Sequence, residues 1–497
     1  MSAVRIWQSF AFAAAVVINT PAPSHANTIA DAAAEINFTP CSLTGTGGNG
    51  NLHAECATWQ RPLDPGQPDG EQIDLFVAKL KSTSTQPAAD ALTLVNGGPG
   101  GSSIDLLIQF SPALGAITRE RDIVVLDQRG TGRSSRLTCD GIADSPENYD
   151  ADQVTELIVA CLAQLPYDPR YFTTSVAVDD LDALRSALGY DQLSIYGVSY
   201  GTRVALHYLR DYPSQTRAVV IDGVVPPSAV LGAQIAIHSQ NALDQVVARC
   251  AADEACKQRF ANVADSFDIV AQRLQQSVMP ISLPHPVTGE QTALDLSYDH
   301  LATWVRFSLY APETVALIPV TLHEAAHKNN YLPIASNALR MLHNVTTAMA
   351  YGMHNAVLCT EDAPFYSRQR INPADLEATY IGRDMYDTLN TLCAGWPEGL
   401  RDADIKTAIK SDVPTLILSG EHDPITPPAW GEAVLQGLGN ARHIIAPGQG
   451  HGTIARGCMP RLIDEFIESA DPQSLDTQCI EDLKPFPFFL NLLGPKP

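Results

Sequence analysis

Leu193-Ser-Ile-Tyr-Gly197-Val-Ser199-Tyr-Gly201-Thr-Arg-Val-Ala-Leu-His-Tyr-Leu209 is the stretch whose reading decides the fold. Four apolar-leaning residues at 193–196 have the composition of a buried strand, and 202–209 has the periodicity of a helix. Between them stands Gly-x-Ser-x-Gly. Glycines on both sides of Ser199 let the backbone turn sharply from strand to helix, which lifts the hydroxyl clear of the strand end as a nucleophile would require. A Gly-rich turn alone has no such purpose; the strand before it and the helix after it point to chemistry.

Working outward, short apolar runs at 75–80, 92–95, 123–126, 218–221, 415–418 and 443–445 each end in a turn of small residues. Uninterrupted apolar strands separated by helical patterns predict a mostly parallel, doubly wound sheet covered on both faces. One such helix is predicted over 174–188, with Val176, Val178, Leu181, Leu184 and Leu188 near helical spacing. Between about 228 and 411 the strand signal fades, and long segments rich in Ala, Gln, Leu and His predict a mainly helical cap inserted over the carboxyl edge of the sheet. The expected organisation is a leader at 1–26, a core in two parts at 27–227 and 412–497, and the cap at 228–411.

The chain has 497 residues, 45% of them hydrophobic, and a formal charge of −23. That apolar content excludes disorder as its main state, and the acidity argues against a nucleic-acid partner, whose phosphates it would repel. Arg5, the apolar run 10–18 and the small-residue end at Ala26 read as a cleavable export signal; nine apolar residues are too few to span a bilayer. The expected address is secreted or periplasmic, with no membrane span once the signal is removed. Ten cysteines without a Cys-x-x-Cys pair suit disulfides in an oxidising compartment. Pairing between sequence neighbours, 41–56, 139–161, 250–256, 359–393 and 458–479, is one arrangement among many that the sequence allows.

A serine hydroxyl needs a base, and the base needs a carboxylate to hold its tautomer. His451, in Gly448-Gln-Gly-His-Gly452, follows the 443–445 strand, and Asp423, in Gly420-Glu-His-Asp-Pro424, follows the 415–418 strand. Asp222 also ends a strand and is a rival acid, as is Glu421. The chain order Ser, Asp, His is that of α/β-hydrolases. Asn96-Gly-Gly-Pro-Gly-Gly101 follows the 92–95 strand and offers main-chain donors to a developing oxyanion, Gly98 first, with Tyr200 as the second donor.

Taken together, Asn96-Gly-Gly-Pro-Gly100, Asp127-Gln-Arg-Gly-Thr-Gly-Arg-Ser134, Gly197-Val-Ser-Tyr-Gly201, Gly420-Glu-His-Asp423 and His451 resemble the α/β-hydrolase serine exopeptidases. These are the proline iminopeptidases and, more closely, the secreted tripeptidyl aminopeptidase-like proteins, and the resemblance runs from about 75 to 490. It implies the α/β-hydrolase fold, a triad of Ser199, Asp423 and His451, no cofactor, and peptide substrates with a free N-terminus. It makes Asp127, Arg129 and Arg133 scaffold, and it implies that Glu361 and Asp362 in the cap hold the substrate ammonium. Asn96 stands where proline iminopeptidases usually have His, a departure that weakens the expectation of strict proline preference. A secreted carboxylesterase with the same triad is the alternative.

His323-Glu-Ala-Ala-His327 matches the zinc-peptidase pattern and is predicted to lie on one helix over 313–328. Asn330 and Pro333 occupy positions where a further zinc signature would be expected, so the pair reads as surface histidines on a cap helix and no metal is expected.

Overall fold

Among the described residues nine strands make the central sheet: β1 (Thr39–Thr44), β2 (Asn51–Pro62), β3 (Gln72–Leu80), β4 (Ala91–Val95), β5 (Asp122–Leu126), β6 (Leu193–Val198), β7 (Thr216–Asp222) and, after an excursion holding the hairpin β8 (Met279–Pro284) and β9 (Gln291–Leu296), β10 (Thr415–Gly420) and β11 (Ala441–Ala446). The computed structural model describes residues 36–48, 50–139, 151–368 and 371–495; the expected export signal lies outside them. The spatial order is β1-β2-β3-β5-β4-β6-β7-β10-β11. Strands β1, β2, β3 and β5 pair antiparallel, and every pairing from β5 through β4 to β11 is parallel. This is the α/β-hydrolase fold.

Strands β4, β6 and β10 are buried at every residue, as a sheet covered on both faces demands. One apolar cluster lies on each face: Val95, Ile195 and Ile221 contribute to one, Leu94, Tyr196 and Val220 to the other. Because β5 lies on one side of β4 and β6 on the other, the chain reverses direction between β4 and β6, and the loops there open a crevice at the carboxyl edge. Ser199 and the Asn96–Gly101 loop are the two lips of that crevice.

The predicted strands are all present, each longer by one to three residues. Two strands of the central sheet were not anticipated. β1 and β2 extend the sheet antiparallel at its edge, where one face is solvated and polar residues alternate with apolar ones. The segment between β7 and β10 is mostly helical and has its own apolar cluster, including Leu301, Trp304, Ile318 and Ala335, but it also carries the β8–β9 hairpin. The single helix expected over 313–328 is two, Pro312–Val315 and Ile318–Lys328. Pro319 has no N–H, and its ring would clash with the Val315 carbonyl of a continuous helix.

All ten cysteines are paired as sequence neighbours. Cys41–Cys56 ties β1 to β2, and Cys359–Cys393 ties the turn Leu358–Asp362 to the helix Asp384–Gly395. Among the described residues no helix is long and apolar enough to cross a membrane.

Candidate active site

Ser199 sits between β6 and the helix Tyr200–Asp211 at φ 56° and ψ −127°, a backbone conformation that L residues avoid and that a strand-to-helix elbow imposes. Its amide donates to the Asp222 carbonyl oxygen at 3.0 Å, and its own carbonyl accepts from the Thr202 amide at 2.9 Å. The turn is tight enough that a Cβ on Gly201 would lie 2.1 Å from the Val95 carbonyl oxygen, so the helix meets β4 only because that side chain is missing.

The loop after β10 carries Asp423 and the loop after β11 carries His451. Asp423 Oδ2 lies 2.8 Å from His451 Nδ1, and the carboxylate also accepts from the Ile425 and Thr426 amides and the Thr426 hydroxyl at 2.9, 2.8 and 2.7 Å. Burial would push this carboxyl up, but the His451 charge and these hydrogen bonds hold it below the ordinary carboxylate range. Burial would likewise push the imidazole down, and the Asp423 charge and hydrogen bond lift it above its ordinary value. Both side-chain hydrogen bonds of His451, to Asp423 and at 3.1 Å to Thr426 Oγ1, go through Nδ1. Nε2 keeps no protein hydrogen bond among the described residues, and none joins it to the Ser199 hydroxyl. The Ser199 backbone and the His451 ring meet the same short stretch of chain. Ser199 is bonded to residue 222, and a Cβ on Gly223 would lie 3.0 Å from His451 Cε1.

The rival acids are committed elsewhere. The Asp222 carboxylate is fully buried and accepts from the Thr453 amide and hydroxyl, the Ile454 amide and the Tyr196 hydroxyl at 2.7, 3.0, 2.9 and 2.9 Å. It therefore anchors the histidine loop. Glu421 accepts from the Gly448 amide at 2.8 Å and is half exposed.

On the opposite lip the Gly97 amide is occupied by Asn96 Oδ1 at 2.7 Å, while the Gly98 amide has no acceptor among the described residues. Tyr200 opens its helix, so its amide has no intrahelical acceptor. Asp127 secures this lip from beneath by accepting from the Ser102 hydroxyl and the Ile104 and Arg133 amides at 2.8, 3.0 and 2.9 Å. Arg129 is buried against Asp180, at 2.7 and 2.9 Å, so it too is scaffold. Two further contributors reach in from the excursion, and no local motif announces either. His354 donates from Nδ1 to the Pro99 carbonyl at 2.9 Å. Tyr310 lies edge-on to the His451 ring at 5.2 Å and takes the His451 amide on its carbonyl at 2.9 Å.

Glu361 and Asp362 do not present carboxylates to a substrate. Both are fully buried: Glu361 accepts from the Thr174 amide and hydroxyl at 2.7 and 2.8 Å, and Asp362 pairs with Arg203 at 2.8 and 2.9 Å and with Lys406 at 2.7 Å. The expectation that they hold an ammonium group is corrected by this burial and pairing, because each carboxylate oxygen already accepts a hydrogen bond within the protein. His323 and His327 do lie side by side, 4.8 Å between ring centres, but His323 Nε2 faces the Arg259 guanidinium at 3.3 Å and Glu324 is bound to Lys328. His323 is also half-buried against Phe260 rather than at the surface. Among the described residues the one cluster with metal-ligand spacing is His207, Asp211 and Asp402, and Arg210 Nη2 lies 2.8 Å from the same imidazole nitrogen, where it would repel a cation.

Residues 378–479 match the protein family described as TAP-like protein. Over 471 aligned residues the chain is 25% identical to serine protease Hip1 of Mycobacterium tuberculosis, covering 87% of this chain and 88% of that one. It is 26% identical to the tripeptidyl aminopeptidase of Streptomyces coelicolor, covering 87% and 84%. It is also 29% identical to carboxylesterase B of Mycobacterium tuberculosis, covering 78% of each chain.

Proposed function

Starting from a hydrolase of the α/β fold that resembles the tripeptidyl aminopeptidase-like proteins, we propose that this chain is an exported serine exopeptidase that cleaves amide bonds near the free N-terminus of peptides. The observation that carries the reading is the hydrogen bond from His451 Nδ1 to Asp423. It fixes the imidazole tautomer so that Nε2 is the basic nitrogen. Catalytic hydrogen bonds in free enzymes are commonly long and tighten when substrate arrives.

In the proposed reaction His451 takes the Ser199 proton as Oγ attacks the substrate carbonyl, and Asp423 stabilises the imidazolium. The Gly98 and Tyr200 amides receive the tetrahedral oxyanion. His451 then protonates the leaving amine, and water, activated by the same imidazole, releases the acyl group from Ser199. The chemistry calls for no cofactor. Five disulfides support an oxidising compartment. The name of the Streptomyces relative supports a tripeptide as the released unit, and the name carboxylesterase B supports a second reading, ester hydrolysis by the same triad.

Free-amine fluorogenic amides of one to three residues, each paired with its N-acetylated form, separate the two readings. Acetylation is expected to abolish turnover by an aminopeptidase and to leave an esterase indifferent. Ser199→Ala is expected to abolish both activities while preserving the fold, and retained turnover would end the serine mechanism.

A further inference from the structure

Between the excursion and the loops that carry Asp423 and His451 lies a hollow of about 340 Å³, counted out to its open mouth, that the proposed reaction does not use. One side of it is a single face of the helix Ile235–Ala252, where Ala242, Gln245, Val246 and Arg249 recur at helical spacing. Gly450, next to His451, and His422, next to Asp423, line it from the loops, and Leu309 adds an apolar side chain from the excursion. Ser199, Gly98, Tyr200 and His451 are not part of the lining, so an occupant would be a second molecule rather than the bond under attack.

Arg249 gives the hollow its chemistry. With 32 Lys and Arg against 55 Asp and Glu, a guanidinium in this chain has carboxylates in excess, and Arg129 and Arg203 are each clamped by one. The Arg249 side chain makes no ion pair or hydrogen bond among the described residues, and its Nη2 is buried without a partner. Its guanidinium carbon lies 4.0 Å from the centre of the buried Phe488 ring, a contact that attracts the charge but supplies no lone pair to an N–H. The adjacent acids are engaged elsewhere. Asp253 caps the helix Glu254–Phe260 by accepting from the Cys256 amide at 2.8 Å, and Glu421 accepts from the Gly448 amide at 2.8 Å.

A second donor stands one helical turn before the first. His422 Nδ1 lies 2.7 Å from Gln245 Oε1, and an amide oxygen can only accept, so Nδ1 carries the proton and the Gln245 amide nitrogen is left to donate. That nitrogen has no partner among the described residues, and Gln245 shares its helix face with Arg249 four positions on. Two donors, one of them charged, beside the apolar Ala242, Val246 and Leu309 match a carboxylate carried on a short aliphatic stem. An ammonium group would meet only repulsion from Arg249.

We propose that Arg249 and Gln245 hold the carboxylate of a small aliphatic acid in this hollow, a second binding site beside the loops of Asp423 and His451. The shared chemistry has two sources, a free short-chain acid and the apolar C-terminal residue of a peptide.

The test is calorimetric titration of the full chain with butyrate, N-acetylvaline and butyramide at one pH and ionic strength. No turnover is needed, so the result stands apart from the serine-exopeptidase reading. At least one of the two carboxylates is expected to bind with a stoichiometry of one, and roughly tenfold or more tightly than the uncharged butyramide. Tighter binding of butyrate assigns the free acid, and tighter binding of N-acetylvaline assigns the peptide end. Arg249→Met is expected to weaken that binding by roughly tenfold or more, and Arg249→Lys to keep part of it. Absence of binding by both carboxylates, equal binding of butyramide, or an affinity that survives Arg249→Met overturns the site. Should Arg249→Met fail to fold, Gln245→Leu at its exposed position decides: a severalfold loss of affinity supports the site, and unchanged affinity overturns it.

Discussion

Asp222 accepts the Ser199 amide proton on its backbone oxygen at 3.0 Å, so the residue that caps β7 also holds the elbow of β6. Its carboxylate meanwhile grips residues 453 and 454, just past His451. One residue therefore sets the spacing between the proposed nucleophile and its base. Asp222→Ala strands two buried amides and two hydroxyls and is expected to cost about 3 kcal/mol or more in urea unfolding, together with a large loss of kcat. Asp222→Asn keeps an acceptor for the amides and is expected to retain more of both. Equal activity of the two variants would separate Asp222 from the positioning of His451.

Much of the site was legible because its parts end strands. β4, β6 and β10 are largely apolar, fully buried runs, and Gly98, Ser199 and Asp423 follow them within four residues. What could not be read is what tertiary packing brings in. Tyr310 lies in the turn after the helix Tyr298–Ser308 and His354 on the helix Tyr351–Val357, segments whose local patterns speak only of burial, and they reach the site because the excursion folds over the sheet edge. Glu361 and Asp362 looked available as adjacent acids, yet the guanidinium that occupies Asp362 is 159 positions away in the chain. β1 and β2 escaped for another reason: edge strands with one solvated face, such as the segment with Asn51, His53 and Glu55, lack the continuous apolar signal of the interior.

The titration of His451 gives a pH test. Only the neutral imidazole accepts the serine proton, and Asp423 lifts the imidazole above its ordinary value of 6.5, against the downward pull of burial. Activity is therefore expected to fall on acidification with a midpoint above 6.5. Asp423→Asn removes the charge that raises the imidazole, so the acid limb of kcat/KM should move to lower pH while kcat falls by on the order of 10⁴. An unmoved limb would assign the titration to another group.

If Glu361 and Asp362 are scaffold, as their pairing indicates, disturbing them costs stability before it costs selectivity. Arg203→Met leaves the buried Asp362 with Lys406 as its cation and only the Leu231 amide besides, and is expected to destabilise by about 3–5 kcal/mol. Asp362→Asn should lower Tm while the rate ratio between free-amine and N-acetylated amides stays at the wild-type value. A collapse of that ratio at unchanged Tm would return Asp362 to substrate binding.

The neighbouring Arg259 guanidinium argues against a cation between His323 and His327. Dialysis against a strong chelator is expected to leave hydrolysis unchanged, and the double substitution of both histidines by Ala should alter Tm more than kcat. Activity lost to the chelator and restored by zinc would reverse this assignment.

Gly97 gives the sharpest test of the oxyanion lip. A Cβ there would lie 2.6 Å from Ser199 Cβ and 3.1 Å from both Ser199 Oγ and the Val198 carbonyl oxygen, so something must move. The elbow is held by the Asp222 carbonyl and by the close approach of Gly201 to β4, which leaves the 96–101 loop to give way and carry the Gly98 amide off its mark. Displacing one oxyanion donor costs on the order of 10²-fold or more in kcat. Gly97→Ala is therefore expected to slow acylation by about that factor, measured as the single-turnover rate with a p-nitrophenyl ester, while Tm stays within a few degrees of the wild type. Acylation at the wild-type rate would mean that this lip does not stabilise the oxyanion.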